Sequence, residues 1–405
     1  VDKPRFHYRL TLTANSWRYS DINGLGRMIT FGNYILLALA LLVFALAVLL
    51  LLQIGASLFS TTAPAIVSRT SKIAVIVPAQ NESAMIQSTI ESIKTQLGNG
   101  GRLLVVADNC TDDTAILAKA AGAEVIERRH ECQIGKGYAL DHGVRFLAQT
   151  GPPEVLVFID ADCEIGPRAL DLLTHVTMAS GRPVQARYII HYPPAAGILD
   201  RISRFAWTVK TFVRPLGYGR LGLPCQLMGT GMAFPWSVIS VANLATGNLA
   251  EDLKLGADLA LTGKAPLFCP EAQVISWSPP GKEGKRIQRT RWEHGHIAMI
   301  VDDFPRLLRC ALTEKNLPLL AIAFDVSVPP LSLLALLIIF LQGTTLLWLA
   351  ATSSVAPFIV STISVLLFGT AVSIAWWQFG RDILSLRELF AAPFYCVSRI
   401  PSFLR

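Results

Sequence analysis

Two long uncharged blocks constrain this chain more than any other feature of its sequence. No Asp, Glu, Lys or Arg occurs at residues 28–68 or at residues 326–380. Within the first block, residues 35–52 are an unbroken apolar run that, with its flanks, is long enough to cross a hydrocarbon core of about 30 Å. The second block has room for two such helices and a turn. We therefore expect three transmembrane helices, one at residues 31–59 and two within residues 319–378.

The second block should contain the turn that joins its two helices. Polar residues interrupt it twice, at residues 342–345 (Gln-Gly-Thr-Thr) and at residues 352–354 (Thr-Ser-Ser). One of these segments is expected to form the turn. Pro329 and Pro330 are expected to bend or to begin the first helix, because proline cannot continue a regular helix from its interior.

The distribution of Lys and Arg predicts the orientation of these helices. The second block contains neither, whereas Arg306 and Arg309 precede it and Arg381 follows it. Because cytoplasmic loops carry the excess of basic residues, the segment between the two blocks should be cytoplasmic, at the plasma (inner) membrane. Residues 1–30, an N-terminal tail, would then lie outside, although their five basic residues outnumber their two acidic ones, in conflict with the same rule.

Composition excludes several classes of protein. Only 16% of the residues are charged, against about 25% in a typical globular domain, which rules out disorder, collagen and a coiled coil. The seven cysteines are odd in number, widely spaced and never form Cys-x-x-Cys. We therefore expect reduced thiols rather than a secreted disulfide scaffold. The chain should be an integral membrane protein with one sizeable soluble domain.

Between the uncharged blocks, short β-branched runs alternate with helical stretches. Continuous apolar strands in this alternation indicate a mainly parallel sheet covered by helices on both faces, that is, a Rossmann-like α/β domain. We place this domain at residues 70–300. The predicted strands are residues 73–78, 103–108, 124–127 and 154–160, and the predicted helices are residues 82–97, 112–121 and 136–148.

Polar side chains follow three of these strands, at residues 78–82 (PAQNE), 108–110 (DNC) and 160–162 (DAD). Sheets of this kind bind ligands at the carboxyl ends of their strands. In an extended chain Asp160 and Asp162 point to the same side, which suits Mg²⁺ or Mn²⁺ shared with a phosphate; the alternative is a solvated turn. The first strand is not followed by G-x-G-x-x-G, and no P-loop sequence occurs, which disfavours those two kinds of nucleotide site.

Six motifs, in this order along the chain, resemble those of a known family. They are P-A-x-N-E, A-D-N-C-T-D-D-T, G-K-G, D-A-D-C, A-E-D and Q-R-T-R-W. Over roughly residues 72–299 the set resembles the membrane-integrated family 2 glycosyltransferases. These include the cellulose, chitin and hyaluronan synthases, which contain Q-x-x-R-W, and ceramide-type lipid glucosyltransferases. The resemblance implies a GT-A catalytic domain.

The resemblance also implies a role for each matching residue. Asp160 and Asp162 match the pair that holds the metal, Mg²⁺ or Mn²⁺, and through it the diphosphate of the donor. Asp252 matches the proposed general base, beside Glu251, and Trp292 matches a residue at the acceptor entrance. The donor-binding residues that it implies are Pro78, Ala79, Glu82, Asp108, Lys136, Asp160, Gln288 and Arg291.

A glycine-rich segment is a further candidate for the acceptor pocket. Gly229, Thr230 and Gly231 are expected there because glycine permits close approach of the backbone; an ordinary tight turn is the alternative. The segment departs from the F-x-C-G-S-G-like form of the cellulose synthases, which counts against polymer-type handling of the acceptor. Lys136 is equally compatible with a solvated helix start.

Several other polar residues have two interpretations. Gln185 and Arg187 either face the donor site or are exposed residues at a sheet edge. His294 and His296, beside Glu293, are not matched by further Cys or His residues at zinc spacing, so a zinc site is disfavoured.

Three segments show apolar residues at helical spacing, residues 198–213, 297–308 and 389–404. Each either packs on the core or lies in the membrane interface. We expect an interface helix at residues 301–318 and a C-terminal amphipathic cytoplasmic segment at residues 381–405. The formal charge of +7 then suits anionic membrane lipids and a diphosphate donor better than nucleic acid.

The sequence therefore predicts an inverting, metal-dependent glycosyltransferase that uses a nucleotide sugar, UDP-linked by expectation, to extend a polysaccharide or oligosaccharide at the cytoplasmic face. The alternative is transfer of a single sugar to a membrane lipid. Three spans are few for a complete polymer channel, which favours a lipid acceptor, a short product, a homo-oligomer or a partner export subunit. A catalytically inactive scaffold that binds nucleotide sugars is the third hypothesis.

Overall fold

A computed structural model describes residues 11–60, 72–98, 100–193, 197–248, 250–279 and 281–398. In these ranges the alternating segment folds into an eight-stranded sheet. The strands are β1 (Ile73–Ala79), β2 (Arg102–Asp108), β3 (Glu124–Arg128), β4 (Val155–Phe158), β5 (Cys163–Ile165), β6 (Val184–His191), β7 (Met232–Pro235) and β8 (Leu267–Trp277).

Some helices of the described ranges pack on this sheet, and others lie in or beside the uncharged blocks. Three helices contain a π-helical segment or run into one, at Val209–Val213, Met299–Asp303 and Trp376–Gly380. The α-helices are α1 (Thr11–Ala56), α2 (Ile86–Lys94), α3 (Thr114–Ala120), α4 (Lys136–Thr150), α5 (Ala169–Ser180), α6 (Ile198–Thr208), α7 (Arg214–Arg220), α8 (Trp236–Ile239), α9 (Glu251–Leu261), α10 (Lys282–Ala298), α11 (Phe304–Thr313), α12 (Leu317–Ser327), α13 (Leu331–Thr352), α14 (Ala356–Ala375), α15 (Leu386–Leu389) and α16 (Ala392–Ser398).

The sheet confirms the predicted fold class. Its strand order is β3-β2-β1-β4-β7-β6-β8-β5, and the first four strands pair in parallel, with helices as crossovers. Strand β7 then runs antiparallel to both β4 and β6, and β5 antiparallel to β8. The sheet is therefore mixed but mostly parallel, and the four strands that the alternation predicted form its parallel half.

Alternation of side chains along β1 explains why both faces of the sheet are covered. Val75 and Val77 lie in a buried cluster on one face, with residues of α2 and α5. Ala74 and Ile76 lie in a second cluster on the other face, with residues of α4. Because successive strand residues point to opposite faces, an uninterrupted apolar strand requires a helical layer on each side.

Three helices of the described ranges are long and apolar enough to span a membrane, Gly26–Ala56, Leu331–Thr352 and Ala356–Gly380. The last two meet at residues 353–355, where Ser353 has a positive φ of 62°. The second of the two predicted turn positions is therefore correct, and residues 342–345 continue the helix.

The start of the second span differs from the expected boundary at residue 319. Residues of α12 form a separate short apolar helix, and α13 begins directly after Pro330. Helix α12 packs into a buried cluster with α9 and α11. The two consecutive prolines separate α12 from α13, because neither can donate a backbone hydrogen bond to a continuous helix.

The amphipathic segment at residues 198–213 packs on the apolar helices. Ile202, Phe205, Val209 and Val213 are buried in the same cluster as residues of α1, α13 and α14. The C-terminal segment is divided: Tyr395 is buried in that cluster, whereas Phe390 and Phe394 are exposed. Residues 399–405 of the predicted C-terminal segment, and residues 1–10 of the predicted tail, lie outside the described residues.

Candidate active site

The carboxyl ends of the parallel strands open into a cleft of about 1390 Å³, including its mouth. This is the edge at which sheets of this type bind ligands. Nine of the residues that the sequence singles out line it together, Lys136, Asp160, Asp162, Gly229, Glu251, Asp252, Gln288, Arg291 and Trp292. Some residues of each predicted role, donor, metal, base and acceptor, therefore line one cavity, whereas Pro78, Ala79, Glu82, Asp108, Thr230 and Gly231 do not.

Lys136 lies at the centre of the charged residues in this cleft. Its Nζ is 2.5 Å from a carboxylate oxygen of Asp160 and 3.8 Å from one of Glu251, and it donates a hydrogen bond of 2.8 Å to the carbonyl of Gly229. Burial would lower the pKa of Lys136, but the neighbouring carboxylates outweigh that effect and raise it. The side chain is thus a fixed cation at the start of α4, and the solvated alternative is wrong.

Asp160 and Asp162 follow β4 in a turn rather than in extended chain. The strand ends at Phe158, and the N–H of Cys163 donates to the carbonyl of Asp160 across 3.1 Å. The premise of an extended strand is therefore wrong, because β4 stops two residues earlier than predicted. The carboxylates still converge, since ligand atoms of Asp160, Asp162 and Cys163 lie within 4.8 Å of one another.

The chemistry of this group fits a hard divalent cation. Two carboxylates are the ligands that Mg²⁺ and Mn²⁺ prefer, with substrate phosphates completing the shell. Burial raises the pKa of the Cys163 thiol well above its ordinary value, so the thiol is a neutral neighbour rather than a soft thiolate ligand. It donates to Asp162 across 3.3 Å and helps to orient that carboxylate.

Glu251 and Asp252 are the first residues of α9, and both line the cleft. Burial raises the pKa of Glu251 to about 7, and Lys136 acts in the other direction. Burial also raises the pKa of Asp252, while Lys136 and Lys210 lower it. A carboxylate that is buried but faces two lysines suits a proton acceptor near neutral pH, because its pKa is moved toward the working range.

The segment 229–231 positions the metal-binding turn as well as lining the cleft. The hydroxyl of Thr230 accepts a hydrogen bond of 3.0 Å from the backbone N–H of Asp160. Gly231 has φ of 67°, and a Cβ there would lie 2.7 Å from Val274 and 2.8 Å from Ala186. Gly229 faces the cavity, whereas Thr230 and Gly231 are buried behind it.

Gln185 and Arg187 have structural partners in the described part of the chain. The buried amide of Gln185 donates to the carbonyl of Thr230 and accepts from the N–H of Met228, both at 2.8 Å. The guanidinium carbon of Arg187 lies 3.7 Å from the centre of the Phe212 ring. Gln185 therefore supports the glycine-rich segment from behind, and neither of the two side chains lines the cleft.

The remaining predicted donor residues lie at the ends of β1 and β2. Asp108 is buried and forms an ion pair of 2.6 Å with Arg128. Pro78 and Ala79 are the last residues of β1. Burial raises the pKa of Glu82 to about 7, and the neighbouring charges of Asp162, Asp160 and Asp112 add to that effect.

Helix α10 contributes the third wall through Gln288, Arg291 and Trp292. The ring of Trp292 stacks on that of Trp207 from α6, with a centroid distance of 4.4 Å. One turn further along α10, His296 is buried, and its Nε2 is 3.0 Å from the carbonyl of Val326. This histidine therefore serves helix packing.

The sequence interpretation missed a buried polar group at the back of the cleft. Arg214 forms an ion pair of 2.7 Å with Asp325, whose carboxylate also accepts from the amides of Gln53 and Gln226, both at 2.8 Å. The group joins the end of α1 to α7 and α12. Its signal in the sequence is Asp325 itself, a single carboxylate at the edge of an apolar block, which requires a partner when buried.

Comparison with known proteins places this geometry in a family. The family model described as "glycosyltransferase like family 2" matches residues 70–295, more than half of the chain. The mannosyltransferase from Pyrobaculum calidifontis, solved in complex with GDP-Man and Mn²⁺, superimposes with a TM-score of 0.57. That alignment covers 90% of this chain and 98% of the other at 17% identity, and shows a shared GT-A fold.

Curated relatives match a shorter part of the chain. Glucosyl-3-phosphoglycerate synthase from Mycobacterium tuberculosis is 41% identical over 104 residues, which cover 24% of this chain and 31% of that protein. The 4,4'-diaponeurosporenoate glycosyltransferase from Staphylococcus haemolyticus is 31% identical over 100 residues, 24% of this chain and 25% of that protein. The chain thus spans about a third or less of the length of these relatives. On the family match and the geometry of the cleft, the chain belongs to the family 2 glycosyltransferases and is an enzyme of the transferase class.

Proposed function

We propose that this protein is an inverting, metal-dependent glycosyltransferase that moves a sugar from a nucleotide sugar to a saccharide acceptor at the cytoplasmic face of the membrane. The observation that carries the proposal is the convergence of two carboxylate pairs, Asp160 with Asp162 and Glu251 with Asp252, on Lys136 in one cleft. One pair suits the diphosphate end of a donor, and the other suits proton transfer.

Asp160 and Asp162 would hold Mg²⁺ or Mn²⁺, which supplies positive charge to neutralise the departing diphosphate. Lys136 and Arg291 line the same cleft and add fixed positive charge on the leaving-group side. Pro78, Ala79, Glu82 and Asp108 lie beyond them at the ends of β1 and β2, where the nucleoside would bind. A UDP-linked donor remains our expectation for this end of the site.

Asp252 would accept the proton of the acceptor hydroxyl, which requires an approach to about 3 Å. The acceptor oxygen then bonds to the anomeric carbon as the bond to the diphosphate breaks, which inverts the configuration. Trp292 offers a flat apolar surface for the acceptor ring, and Gly229 leaves room beside Asp252, since a Cβ on Gly229 would lie 3.4 Å from that carboxylate.

We further propose that the catalytic domain covers residues 70–300 and is cytoplasmic, with residues 301–318 and 381–405 along the membrane surface. The three candidate spans and the basic residues at both ends of the second uncharged block support this orientation. The product would be a polysaccharide or oligosaccharide, with a homo-oligomer or a partner subunit to export it. Transfer of a single sugar to a lipid is the second candidate, since a neighbouring cavity that shares lining residues with the cleft reaches Leu50 and Leu331 of the candidate spans.

The experiment is to incubate the purified full chain in lipid with a panel of radiolabelled nucleotide sugars and Mg²⁺ or Mn²⁺, and to size the product. Sugar of high molecular mass supports polymerisation, and an organic-soluble product supports lipid transfer. Loss of both on chelation supports the metal site. Absence of hydrolysis and transfer with every donor would favour an inactive scaffold and contradict the proposal.

A further inference from the structure

A second cavity, of about 890 Å³ with its mouth, lies between the cleft and the candidate spans. Its walls include Leu50 of the first span and Leu331 of the second. It shares five lining residues with the cleft, Trp207, Lys210, Arg214, Gln288 and Trp292. A molecule in this cavity would therefore touch the apolar helices at one end and the proposed catalytic site at the other.

The middle of this cavity carries an excess of positive charge. Arg214 pairs with Asp325, and Lys285 pairs with Asp200 across 2.8 Å. The other two basic residues, Lys210 and Arg289, have no carboxylate within 4.0 Å in the described ranges. Glu293 is the carboxylate among the described residues that line this cavity, and it acts on the pKa of Lys210. Counted together with Asp200 and Asp325, it leaves the four basic residues with one positive charge in excess.

The surroundings of Lys210 and Arg289 show what such charges require. Burial lowers the pKa of Lys210 to about 8; Asp252, Asp325 and Glu293 oppose this effect, and Arg214 adds to it. Arg289 donates to the hydroxyl of Tyr395 across 3.1 Å, a neutral partner. Charges at a partly desolvated site are unfavourable without a counter-charge. Because Glu293 is the single carboxylate that lines the cavity beside four basic residues, an anionic ligand would balance the remaining positive charge.

The end of the cavity next to the spans is apolar. Leu50 and Val328 are each 1% exposed, and Pro329, Pro330 and Leu331 continue the same wall. Apart from Ser332, the described side chains of this surface offer no hydrogen-bond partners for a sugar or a soluble anion. The surface fits a hydrocarbon chain that enters from the membrane. The cavity thus has an apolar end, a cationic middle and an opening to the cleft.

We propose that this cavity binds a saccharide acceptor that is linked to a lipid through a phosphate group. The lipid chain lies along Leu50 and Leu331, the phosphate lies between Lys210 and Arg289, and the sugar reaches the cleft beside Trp292 and Asp252. The inference rests on the proposed function, and it names the acceptor class. A neutral lipid would leave the cationic middle uncompensated, and a free oligosaccharide would leave the apolar end unused.

The transfer step leaves the lipid phosphate intact. A hydroxyl oxygen of the lipid-linked sugar bonds to the anomeric carbon of the donor sugar, and the bond between that carbon and the donor phosphate breaks. The electron pair leaves with the nucleoside diphosphate, and the hydroxyl proton passes to Asp252. Lys210 and Arg289 are therefore binding residues for the acceptor, and the chemistry does not consume their protons.

The test measures binding separately from catalysis. Full-length protein in phosphatidylcholine nanodiscs is titrated with a radiolabelled prenyl monophosphate and with the matching prenyl alcohol. We expect the phosphate to bind at least about tenfold more tightly, and Lys210→Gln and Arg289→Gln each to reduce that preference about tenfold, because each removes a charged partner of the phosphate. Lys210→Arg should retain the preference, and Lys119→Gln, an exposed lysine on α3, should be unchanged.

Equal binding of phosphate and alcohol, or an unchanged preference in both glutamine variants, would overturn the inference. A parallel assay of nucleotide-sugar hydrolysis with Mn²⁺ in the same preparations tests the proposed function by itself. Binding of the phosphate without any donor turnover would count against catalysis but not against the cavity. In a third arm, transfer to a sugar on prenyl pyrophosphate should have a KM at least about tenfold lower than transfer to the same sugar as an alkyl glycoside.

Discussion

The indole rings of Trp207 and Trp292 stack with a centroid distance of 4.4 Å and an angle of 25° between their planes. Trp207 comes from α6, and Trp292 comes from α10. Both rings line the catalytic cleft and also the second cavity. The pair therefore forms a wall that the two cavities share, and in the proposed reaction an acceptor would pass this wall in order to reach Asp252.

Replacement of Trp207 by alanine should raise the KM for the acceptor about tenfold, because it removes one face of an aromatic pair and the wall that it supports. The indole N–H of Trp207 is buried and has no hydrogen-bond partner among the described residues. Trp207→Phe should therefore retain most of the activity. Steady-state kinetics checks this, and a donor KM that rises as much as the acceptor KM would contradict it.

Asp252→Asn should reduce transfer by about 10²-fold or more, because the amide cannot accept the proton of the acceptor hydroxyl. Binding of the nucleoside diphosphate should remain near that of the wild type, since Asp160 and Asp162 are untouched. Asp258→Asn is the matched control, because Asp258 lies on the same helix and pairs with Lys254. Transfer assays and calorimetric titration with the nucleotide measure the two effects, and unchanged transfer in Asp252→Asn would remove the base assignment.

Lys136→Met should have opposite effects on the binding of Mn²⁺ and on the binding of the nucleotide sugar. The ammonium lies 2.5 Å from Asp160, so its removal should strengthen binding of Mn²⁺ alone, while binding of the nucleotide sugar should weaken about tenfold through loss of a phosphate contact. Calorimetric titrations with Mn²⁺ and with the nucleotide measure each effect. Weaker binding of Mn²⁺ alone would show that Lys136 does not compete with the metal for Asp160.

Glu82 should make the stability of the ligand-free protein depend on pH. Its pKa is about 7 in the folded chain against an ordinary 4.5, so between these values the folded state retains a proton that the unfolded state releases. Stability is therefore lost as the pH rises through this window. Glu82→Gln should flatten that dependence and raise the Tm by about 2–4 °C at pH 8. Thermal scans in detergent check this against Glu91→Gln, an exposed residue of α2, which should behave like the wild type.

Gly231→Ala should destabilise the fold by about 2–4 kcal/mol, because the residue has φ of 67° and its new Cβ would lie under 3 Å from Val274 and Ala186. Gly219→Ala is the control, since a Cβ there meets no atom within 4 Å. Unfolding in detergent, followed by tryptophan fluorescence, measures both. Equal unfolding midpoints for Gly231→Ala and Gly219→Ala would show that the segment 229–231 accommodates the new Cβ without loss of stability.

The parallel half of the sheet and the residues at its strand ends were predictable, because both follow from local patterns. An uninterrupted apolar run such as residues 73–78 indicates a strand buried on both faces. The topology of such a sheet places Asp160 near Lys136, whatever the individual side-chain contacts are. The mixed half was not predicted. Strand β7 is only Met232–Pro235, too short to show a period.

The buried group at the back of the cleft could not be predicted from sequence patterns. Gln53 and Asp325 are separated by 272 positions, and Arg214 and Asp325 by 111. Such pairs depend on how α1, α7 and α12 pack together. The sequence pattern at 198–213 identified its charged residues as the polar side of an amphipathic helix. That pattern does not show whether the polar side faces solvent or a cavity. The position of Lys210 in a cavity was therefore missed.

The configuration of the newly formed glycosidic bond tests the central claim most directly. The glycosidic bond of the product made from an α-linked UDP-sugar should be analysed by proton NMR, with Asp252→Asn as the inactive control. A single displacement in which Asp252 accepts the proton of the acceptor hydroxyl predicts a β-linked product. An α-linked product would require two displacements or a different geometry, and would contradict the inverting mechanism proposed for this cleft.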